Sequence, residues 1–321
     1  MLEYLDMSKP IRIAVIGCGK LGSRHAEMYS KMSGVELVGV CDTHADKAQE
    51  AARRCKTKAF TNHQDLLKLV DAASIVVPSH KHFQISKDFI ENNVHLLIEK
   101  PITTRLEDAD ALLELAARHK TLIQVGHIER FNSAIRTIKD IIKNPRFIEC
   151  HRLGPYDARV ADVGVTLDLM IHDIDIVLDL VKSPVKHIDS VGACIVSKTE
   201  DIANARLRFE NNAVCNLTAS RVTPDVQRRI RIFQDNAYIS LDYVSQEAQI
   251  YTKGPVGIHH KKIDITKADS LKEELSDFIE CVRSNKRPLV SGEEGREALA
   301  VALEISRQIH STNPVPAGHV G

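Results

Sequence analysis

The chain has 321 residues, enough for two domains, and its 43% apolar and 27% charged residues are typical of a globular protein. Lysine plus arginine and aspartate plus glutamate each number 43, so the formal net charge is zero. Because nucleic-acid binders usually carry a basic excess, this balance argues against a nucleic-acid partner. The apolar runs are far shorter than the roughly 20 residues that span a bilayer, so no membrane partner is expected.

Seven cysteines are scattered along the chain without a C-x-x-C pair. Four of them lie inside apolar runs, where cysteine behaves as a small hydrophobic residue. They are Cys18, Cys41, Cys194 and Cys215. We therefore expect no disulfide framework, no metal and a reducing, cytoplasmic location. The N-terminal MLEYLDMSKP is too short and too acidic for a signal peptide and is expected to be a frayed leader.

Strand-like and helical segments alternate through the first part of the chain. The apolar, strand-like runs are IRIAVIG, VELVGVCD, AASIVVP, VHLLIEKP and TLIQVGH, and amphipathic segments lie between them. This rhythm predicts a parallel sheet covered by helices on both faces. The first domain is expected to cover residues 1–127.

The pattern changes after residue 127. One helix and one strand precede a polar loop and the long amphipathic helix VTLDLMIHDIDIVLDLV. Several strand-like runs without helices then extend from Val185 to Tyr251, and two helices end the chain. Their alternation of apolar and polar residues predicts a largely antiparallel sheet with one wetter face. Residues 128–321 are thus predicted to form an α+β domain.

The motif G-x-G-x-x-G follows the first strand and opens the first helix, which is the context that a dinucleotide-binding turn needs. Gly17 permits the tight turn, Gly19 lets the backbone approach a pyrophosphate, and Gly22 allows close packing of the helix on the strand. The start of that helix, with Lys20 and Leu21, offers N–H donors and a positive dipole end to the phosphates.

An acidic residue ends the second strand, twenty positions after Gly22. Asp42 can accept hydrogen bonds from ribose hydroxyls and would repel a 2′-phosphate. The next residues, Thr43 and His44, supply no arginine to hold such a phosphate. The sequence therefore favours NAD over NADP as the cofactor.

Further polar residues occur at strand ends, where open α/β sheets bind ligands. Lys100 lies in E-K-P and can project into the dinucleotide crevice, while the fixed φ of Pro101 stiffens the turn. Glu99 is expected to pair with Lys100 or to cap a nearby group. The run P-S-H-K-H, from Pro78 to His82, ends another strand and is placed at the same edge.

The helix of the second domain carries Asp168 and His172, four residues apart and thus neighbours on one face. Such a pair can bind metal, form a surface ion pair or flank a substrate hydroxyl. Metal is disfavoured, because no third-ligand spacing accompanies the pair. For oxidation of an alcohol, Lys100 and His172 are the candidate acid/base groups, and Asp168 would orient one of them.

Polar residues suited to a nucleotide sugar flank these groups. Glu129, Arg130 and Asn132 follow the last strand of the first domain. The strand and loop before the Asp/His helix carry Arg152, Tyr156 and Arg159. Arginine can grip a diphosphate through two parallel hydrogen bonds. For Arg130, a structural ion pair with Glu129 or with a helix carboxylate is an equally good interpretation.

Together, G-x-G-x-x-G, E-K-P and D-x-x-x-H resemble the glucose–fructose oxidoreductase/inositol dehydrogenase/rhizopine catabolism (Gfo/Idh/MocA) family, over nearly the whole chain. The resemblance implies a doubly wound Rossmann domain and a C-terminal α+β domain whose open sheet forms a homodimer or homotetramer. It also implies NAD(P)-dependent chemistry on sugars, cyclitols and related hydroxyl compounds. It assigns catalysis to Lys100, Asp168 and His172, and places His82 near the nicotinamide.

Two longer stretches, GHIERFN and DVGVTLDLMIHDID, are similar to the UDP-N-acetylglucosamine 3-dehydrogenase branch of bacteria. That likeness implies oxidation of the sugar 3-hydroxyl to a ketone, followed by a partner aminotransferase that makes the 3-amino sugar of lipid A. Two departures from the wider family are Ser133, where proline is common, and Met170, where glycine is common. Alternatives are a free sugar, cyclitol or biliverdin-like substrate, or a non-catalytic NAD-binding redox sensor.

Overall fold

The computed structural model describes residues 9–157 and 163–312. Their contacts divide them into two compact units. The first joins the described residues up to Ile128 with Asp269–Arg296. The second joins those of Glu129–Ala268 with those from Glu297 onward.

Six parallel strands form the sheet of the first unit. They are β1 (Ile11–Ile16), β2 (Val35–Cys41), β3 (Lys58–Phe60), β4 (Ala72–Ile75), β5 (His95–Glu99) and β6 (Ile123–Gly126). Their spatial order, β3-β2-β1-β4-β5-β6, is that of a Rossmann doubly wound sheet, which confirms the prediction. The strands are connected by helices α1 (Lys20–Tyr29), α2 (Ala45–Cys55), α3 (His82–Glu91) and α4 (Leu106–His119).

Eight strands form the sheet of the second unit, and helices α5 (Ser133–Lys139) and α6 (Ile171–Val181) share its apolar core. The strands are β7 (Phe147–Leu153), β8 (Val185–Ala193), β9 (Ile202–Phe209), β10 (Val214–Ser220), β11 (Gln227–Gln234), β12 (Ala237–Asp242), β13 (Glu247–Lys253) and β14 (Ile258–Ile263). Their order is β14-β13-β12-β11-β7-β10-β9-β8, and all neighbours are antiparallel except β7 and β10. The predicted antiparallel character is thus confirmed.

The last two helices are α7 (Ser270–Ser284) and α8 (Gly292–Thr312). Asp269 caps α7 by accepting a hydrogen bond from the main-chain N–H of Leu271 at 3.0 Å. The apolar side chains of α7, including Leu275 and Phe278, lie in the core of the first unit with those of β1. The sequence prediction assigned this segment to the second domain. An amphipathic stripe shows that a helix is packed, but it does not show against which sheet.

The structure also bears on membrane insertion and on the pairing of the cysteines. Among the described helices, none has both the length and the apolar character needed to cross a membrane. All seven cysteines are free thiols, and Cys194 is the exposed one.

Candidate active site

The glycine-rich turn joins β1 to α1, and its three glycines differ in their surroundings. Gly17 has a φ of +102°, and a Cβ there would overlap the carbonyl oxygen of Val76. A Cβ on Gly22 would overlap the carbonyl oxygen of Gly17. A Cβ on Gly19, by contrast, would meet no atom within 4 Å. Two glycines therefore serve the packing of the turn, and the third leaves space in front of the backbone.

Helix α1 begins directly at this space. Gly19 is the N-cap and has no side chain to occupy the helix terminus, and no acidic residue lies in the first turn. Lys20 is exposed and Leu21 is half-buried. Such a terminus presents main-chain N–H groups and a positive dipole end to an anion. The predicted pyrophosphate site is therefore sterically and electrostatically suitable.

Asp42 follows β2 and lies beside the glycine-rich turn. Its Oδ2 accepts a hydrogen bond from the N–H of Cys18 at 2.8 Å, and its Oδ1 accepts one from the N–H of His44 at 2.9 Å. Burial alone would raise the pKa of Asp42, but these hydrogen bonds outweigh it and lower the pKa. The ionised carboxylate is thus fixed beside the glycine-rich turn, where we expect it to accept hydrogen bonds from ribose hydroxyls. Turn, helix start and carboxylate together fit a dinucleotide.

The turns that follow β4 and β5 hold the predicted reacting group. These strands are parallel neighbours, and β4 also pairs with β1, so their carboxyl ends share one edge of the sheet. Glu99 ends β5 and is buried, and Lys100 follows it, half-buried, with a cis peptide bond to Pro101. Pro78 is exposed in the turn after β4. The first unit therefore brings Pro78, Glu99 and Lys100 to the same edge as the glycine-rich turn.

His82 connects the two turns. Its ring is 1% exposed, and its Nδ1 and Nε2 lie 2.9 Å from the carbonyl oxygens of Pro101 and Val77. Burial lowers the pKa of His82, although both carbonyl contacts oppose that shift. Because a carbonyl oxygen of each turn lies within hydrogen-bond distance of the ring, the geometry gives His82 a role in holding the Lys100–Pro101 turn. Its predicted proximity to the nicotinamide stays a prediction.

Asp168 and His172 lie where α6 begins, in the second unit. Residues Thr166–Met170 form a π-helical turn, and the α-helix starts at Ile171. Both side chains are half-buried. The sequence predicted one continuous helix, because five residues are too few for apolar spacing to reveal a wider turn. Such π-helical turns occur frequently at functional sites.

A buried arginine anchors this helix to the sheet. Arg152 on β7 donates two hydrogen bonds to the Asp173 carboxylate, both at 2.9 Å, and one to Glu129 at 3.0 Å. Its guanidinium also lies 5.2 Å from the centre of the Tyr243 ring. Burial alone would lower the pKa of Arg152, because it disfavours the charged guanidinium. Attraction by Asp173 and Glu129 outweighs this effect and raises the pKa of Arg152. The guanidinium therefore stays charged inside the second unit.

The predicted substrate residues Glu129, Arg130 and Asn132 lie in the same framework. Arg130 is 4% exposed and forms ion pairs with Asp175 at 3.2 Å and Asp179 at 3.0 Å, both on α6. Asn132 donates to Glu129 at 3.2 Å and caps α5. The structure thus gives Arg130 the ion pair with helix carboxylates that the sequence left open.

The two arginines that most closely precede the Asp168/His172 helix are Arg152 and Arg159. Arg159 lies outside the described residues. The sequence placed Arg152 among the residues suited to a diphosphate, and its role in anchoring the helix was missed, although a signal was present. Burial alternates along β7 through Ile148, Cys150 and Arg152, so the alternation itself places the arginine on the core face. A buried arginine requires a carboxylate partner.

These features define an oxidoreductase with an NAD-binding Rossmann domain. Residues 11–127 match the family described as "Oxidoreductase family, NAD-binding Rossmann fold", and residues 139–240 match the GFO/IDH/MocA C-terminal domain. The chain belongs to the Gfo/Idh/MocA family of oxidoreductases.

Individual relatives span almost the whole chain. UDP-N-acetylglucosamine 3-dehydrogenase of Acidithiobacillus ferrooxidans is 36% identical over 302 residues, which cover 92% of this chain and 96% of that protein. A solved structure of that enzyme has a TM-score of 0.90 and covers 94% of this chain and 98% of its own. Myo-inositol 2-dehydrogenase of Thermotoga maritima is 25% identical and covers 95% of this chain and 98% of that protein.

Replacing Gly19 with alanine is expected to weaken NAD binding by about tenfold or more, which corresponds to about 1.4 kcal/mol. The φ of −68° at Gly19 suits alanine, and the added Cβ meets no protein atom, so the fold should be unaffected. Calorimetric titration with NAD and thermal unfolding would measure both effects. Gly154→Ala is the matched control, because its Cβ also meets no atom within 4 Å. An unchanged NAD affinity in Gly19→Ala would contradict the assignment.

Proposed function

We propose that the protein oxidises the 3-hydroxyl of UDP-N-acetylglucosamine to a ketone. The observation that carries this proposal is the similarity, over nearly the whole length of both chains, to an enzyme of that activity, at 36% identity and a TM-score of 0.90. The E-K-P turn and the Asp168/His172 helix start supply the groups that the chemistry needs. Bound NAD would supply the hydride acceptor, nicotinamide C4.

The remaining chemistry falls to side chains of this chain. In the proposal, the amine of Lys100 accepts the proton of the substrate hydroxyl, directly or through His172. Asp168 orients the imidazole of His172. The fixed turn at Pro101, held by His82, aims the amine. The hydroxyl thus loses its proton to the protein while its carbon loses a hydride to the cofactor.

Recognition of the substrate is assigned to two groups of residues. Lys100, Asp168 and His172 would contact the reacting sugar, and Arg159 the diphosphate. Glu129, Arg130 and Asn132 would act by fixing α5 and α6, since their described contacts are with the framework of the second unit. This division departs from the sequence prediction, which placed all of them at the substrate.

We also propose a homodimer or homotetramer that forms through the second sheet. Five aromatic rings lie in sequence across adjacent strands on the face opposite the apolar core, with centroid separations of 5.5, 4.7, 5.0 and 4.8 Å. The first pair is tilted, and the other three pairs are stacked. They are Phe147, Phe233, Tyr238, Tyr251 and His260. Aromatic residues are enriched at protein interfaces. A monomer in sedimentation velocity would contradict this assignment.

The cellular setting follows from the same proposal. Seven free thiols suit a reducing compartment, so we place the enzyme in the cytoplasm. A ketone at carbon 3 is a substrate for transamination, so the functional partner would be a sugar aminotransferase.

Absorbance at 340 nm after mixing the protein with NAD and UDP-N-acetylglucosamine tests the proposal. A ketone trap or the aminotransferase should be included, because removing the product draws the oxidation forward. We expect NADH to form with UDP-N-acetylglucosamine and much more slowly with free N-acetylglucosamine or myo-inositol. Faster turnover of a free sugar or of myo-inositol would favour the alternative within the family. Binding of NAD without turnover of any of these compounds would favour a redox sensor.

A further inference from the structure

Three polar side chains converge inside the first unit, next to the turn that carries Lys100. His25 comes from α1, Glu99 from the end of β5 and Glu274 from α7, and their potential ligand atoms all lie within 4.8 Å of one another. His25 and Glu274 are fully buried, and Glu99 is 9% exposed. His25 Nε2 lies 3.4 Å from Glu99 Oε1.

Two carboxyl groups this close and this buried cannot both carry a charge without compensation. Neither carboxyl oxygen of Glu274 has a hydrogen-bond partner among the described residues. Burial, followed by the negative charges of Glu99 and Asp277, raises the pKa of Glu274 well above its ordinary value. Glu274 is therefore the member of the pair that holds a proton, and Glu99 is the more exposed of the two.

The remaining groups around Glu274 leave this assignment unchanged. Tyr29, also on α1, is fully buried, and its hydroxyl lies 2.9 Å from that of Ser74. Burial raises the pKa of Tyr29, so the phenol is neutral. The amide of Gln124 donates to the main-chain oxygen of Glu274 at 3.1 Å, which fixes α7 against β6.

Glu99 is confined on its other side by the backbone of β6. A Cβ on Gly126 would lie 2.8 Å from the carboxyl carbon of Glu99, so the carboxylate packs directly over this glycine. The side chain therefore occupies a narrow space between Gly126 and the two buried groups. Its position sets the shape of the site immediately before Lys100 in the chain.

We propose that Glu274 is a positioning residue that stays a neutral carboxylic acid and, together with His25, confines the side chain of Glu99 beside Lys100. The consequence for hydride transfer rests on the proposed function, but the state of Glu274 does not. The experiment therefore includes readouts that need no sugar substrate.

The same three side chains could also serve as ligands to a divalent cation. A histidine ligand normally donates its second ring N–H to a carbonyl or carboxylate oxygen. Within the described residues, Nδ1 of His25 has no such hydrogen bond. A neutral Glu274 accounts for the cluster without a cation, and the two interpretations make opposite predictions for a glutamine substitution.

Glu274→Gln reproduces the neutral acid in size and hydrogen-bonding capacity, so it should fold and bind NAD within about twofold of the wild type. It should also remove the part of the pH dependence of folding stability that comes from Glu274. When the pKa of an acid is raised in the folded state, the acid stabilises the fold fully at pH values below its pKa in the unfolded chain, near 4.5. That stabilisation is lost as the pH rises. The folding equilibrium constant of the wild type should therefore fall tenfold per pH unit relative to Glu274→Gln above this value, until Glu274 ionises.

Denaturant unfolding between pH 4 and pH 9 measures this difference. Glu280→Gln on the exposed side of α7 is the matched control and should show no such pH-dependent difference. Glu274→Leu removes both donor and acceptor and should weaken NAD binding by about tenfold, a loss that glutamine should not cause. A Glu274→Gln variant that fails to fold, or that is equally destabilised at every pH, would overturn the proposal. So would one equivalent of a divalent metal in the purified protein, measured by elemental analysis.

Discussion

Replacing Lys100 with alanine should reduce NAD-dependent oxidation of the sugar nucleotide by about 1000-fold while NAD still binds. General-base catalysis by a positioned side chain contributes roughly 10²- to 10⁴-fold, and the proposal assigns that role to the amine of Lys100. The turn itself is held by the imidazole of His82, which contacts the main-chain carbonyl oxygen of Pro101. Removing the amine should therefore leave the fold and the dinucleotide turn intact.

Steady-state rates at saturating substrate and NAD titration by calorimetry separate the two effects. Lys68→Ala is a suitable control, since it removes the same charge from an exposed position of the first unit. It should retain the rate of the wild type. Full activity in Lys100→Ala would reject the catalytic role, and a parallel loss of NAD binding would point to a role in holding the cofactor instead.

Replacing Arg152 with methionine should lower the free energy of unfolding by about 3–5 kcal/mol. The substitution leaves the buried carboxylates of Asp173 and Glu129 without the guanidinium that lies 2.9 and 3.0 Å from them. It also removes the cation from the face of the Tyr243 ring. Urea unfolding followed by circular dichroism would measure the loss.

Arg229→Met provides the matched control for that experiment. Arg229 pairs with Asp242 at 3.1 Å in the same sheet, but their side chains are 50% and 29% exposed. Exposed pairs contribute about 0–1 kcal/mol, so the control should be nearly neutral. Equal losses in the two variants would show that burial does not set the strength of the Arg152 interaction.

The first sheet could be predicted because its signals are local. The glycines of the turn, the acid after β2 and the proline after Lys100 each act within a few residues of their own position. Strand-helix alternation then leaves few ways to order the strands, since parallel neighbours require crossovers of one hand. The antiparallel strands were predicted for a similar reason, because one buried face requires strict alternation.

Features that depend on distant partners could not be predicted. The sequence shows that Glu274 lies among apolar residues of a helix, but not that His25 and Glu99 meet it from elements far away in the chain. Arg130 was equally compatible with a ligand and with α6, because both offer negative charge. Only the fold shows that Asp175 and Asp179 are its partners.

The packing of α7 also has a consequence for the folding of the chain during translation. The first unit takes its final helix from residues that the ribosome adds after all eight strands of the second sheet. A nascent chain that has emerged only as far as Ile128 thus lacks the side chains, such as Phe278, that cover β1 and α1. The first unit therefore cannot complete its fold before the strands of the second unit have been synthesised. Both units reach their native state only near the end of translation.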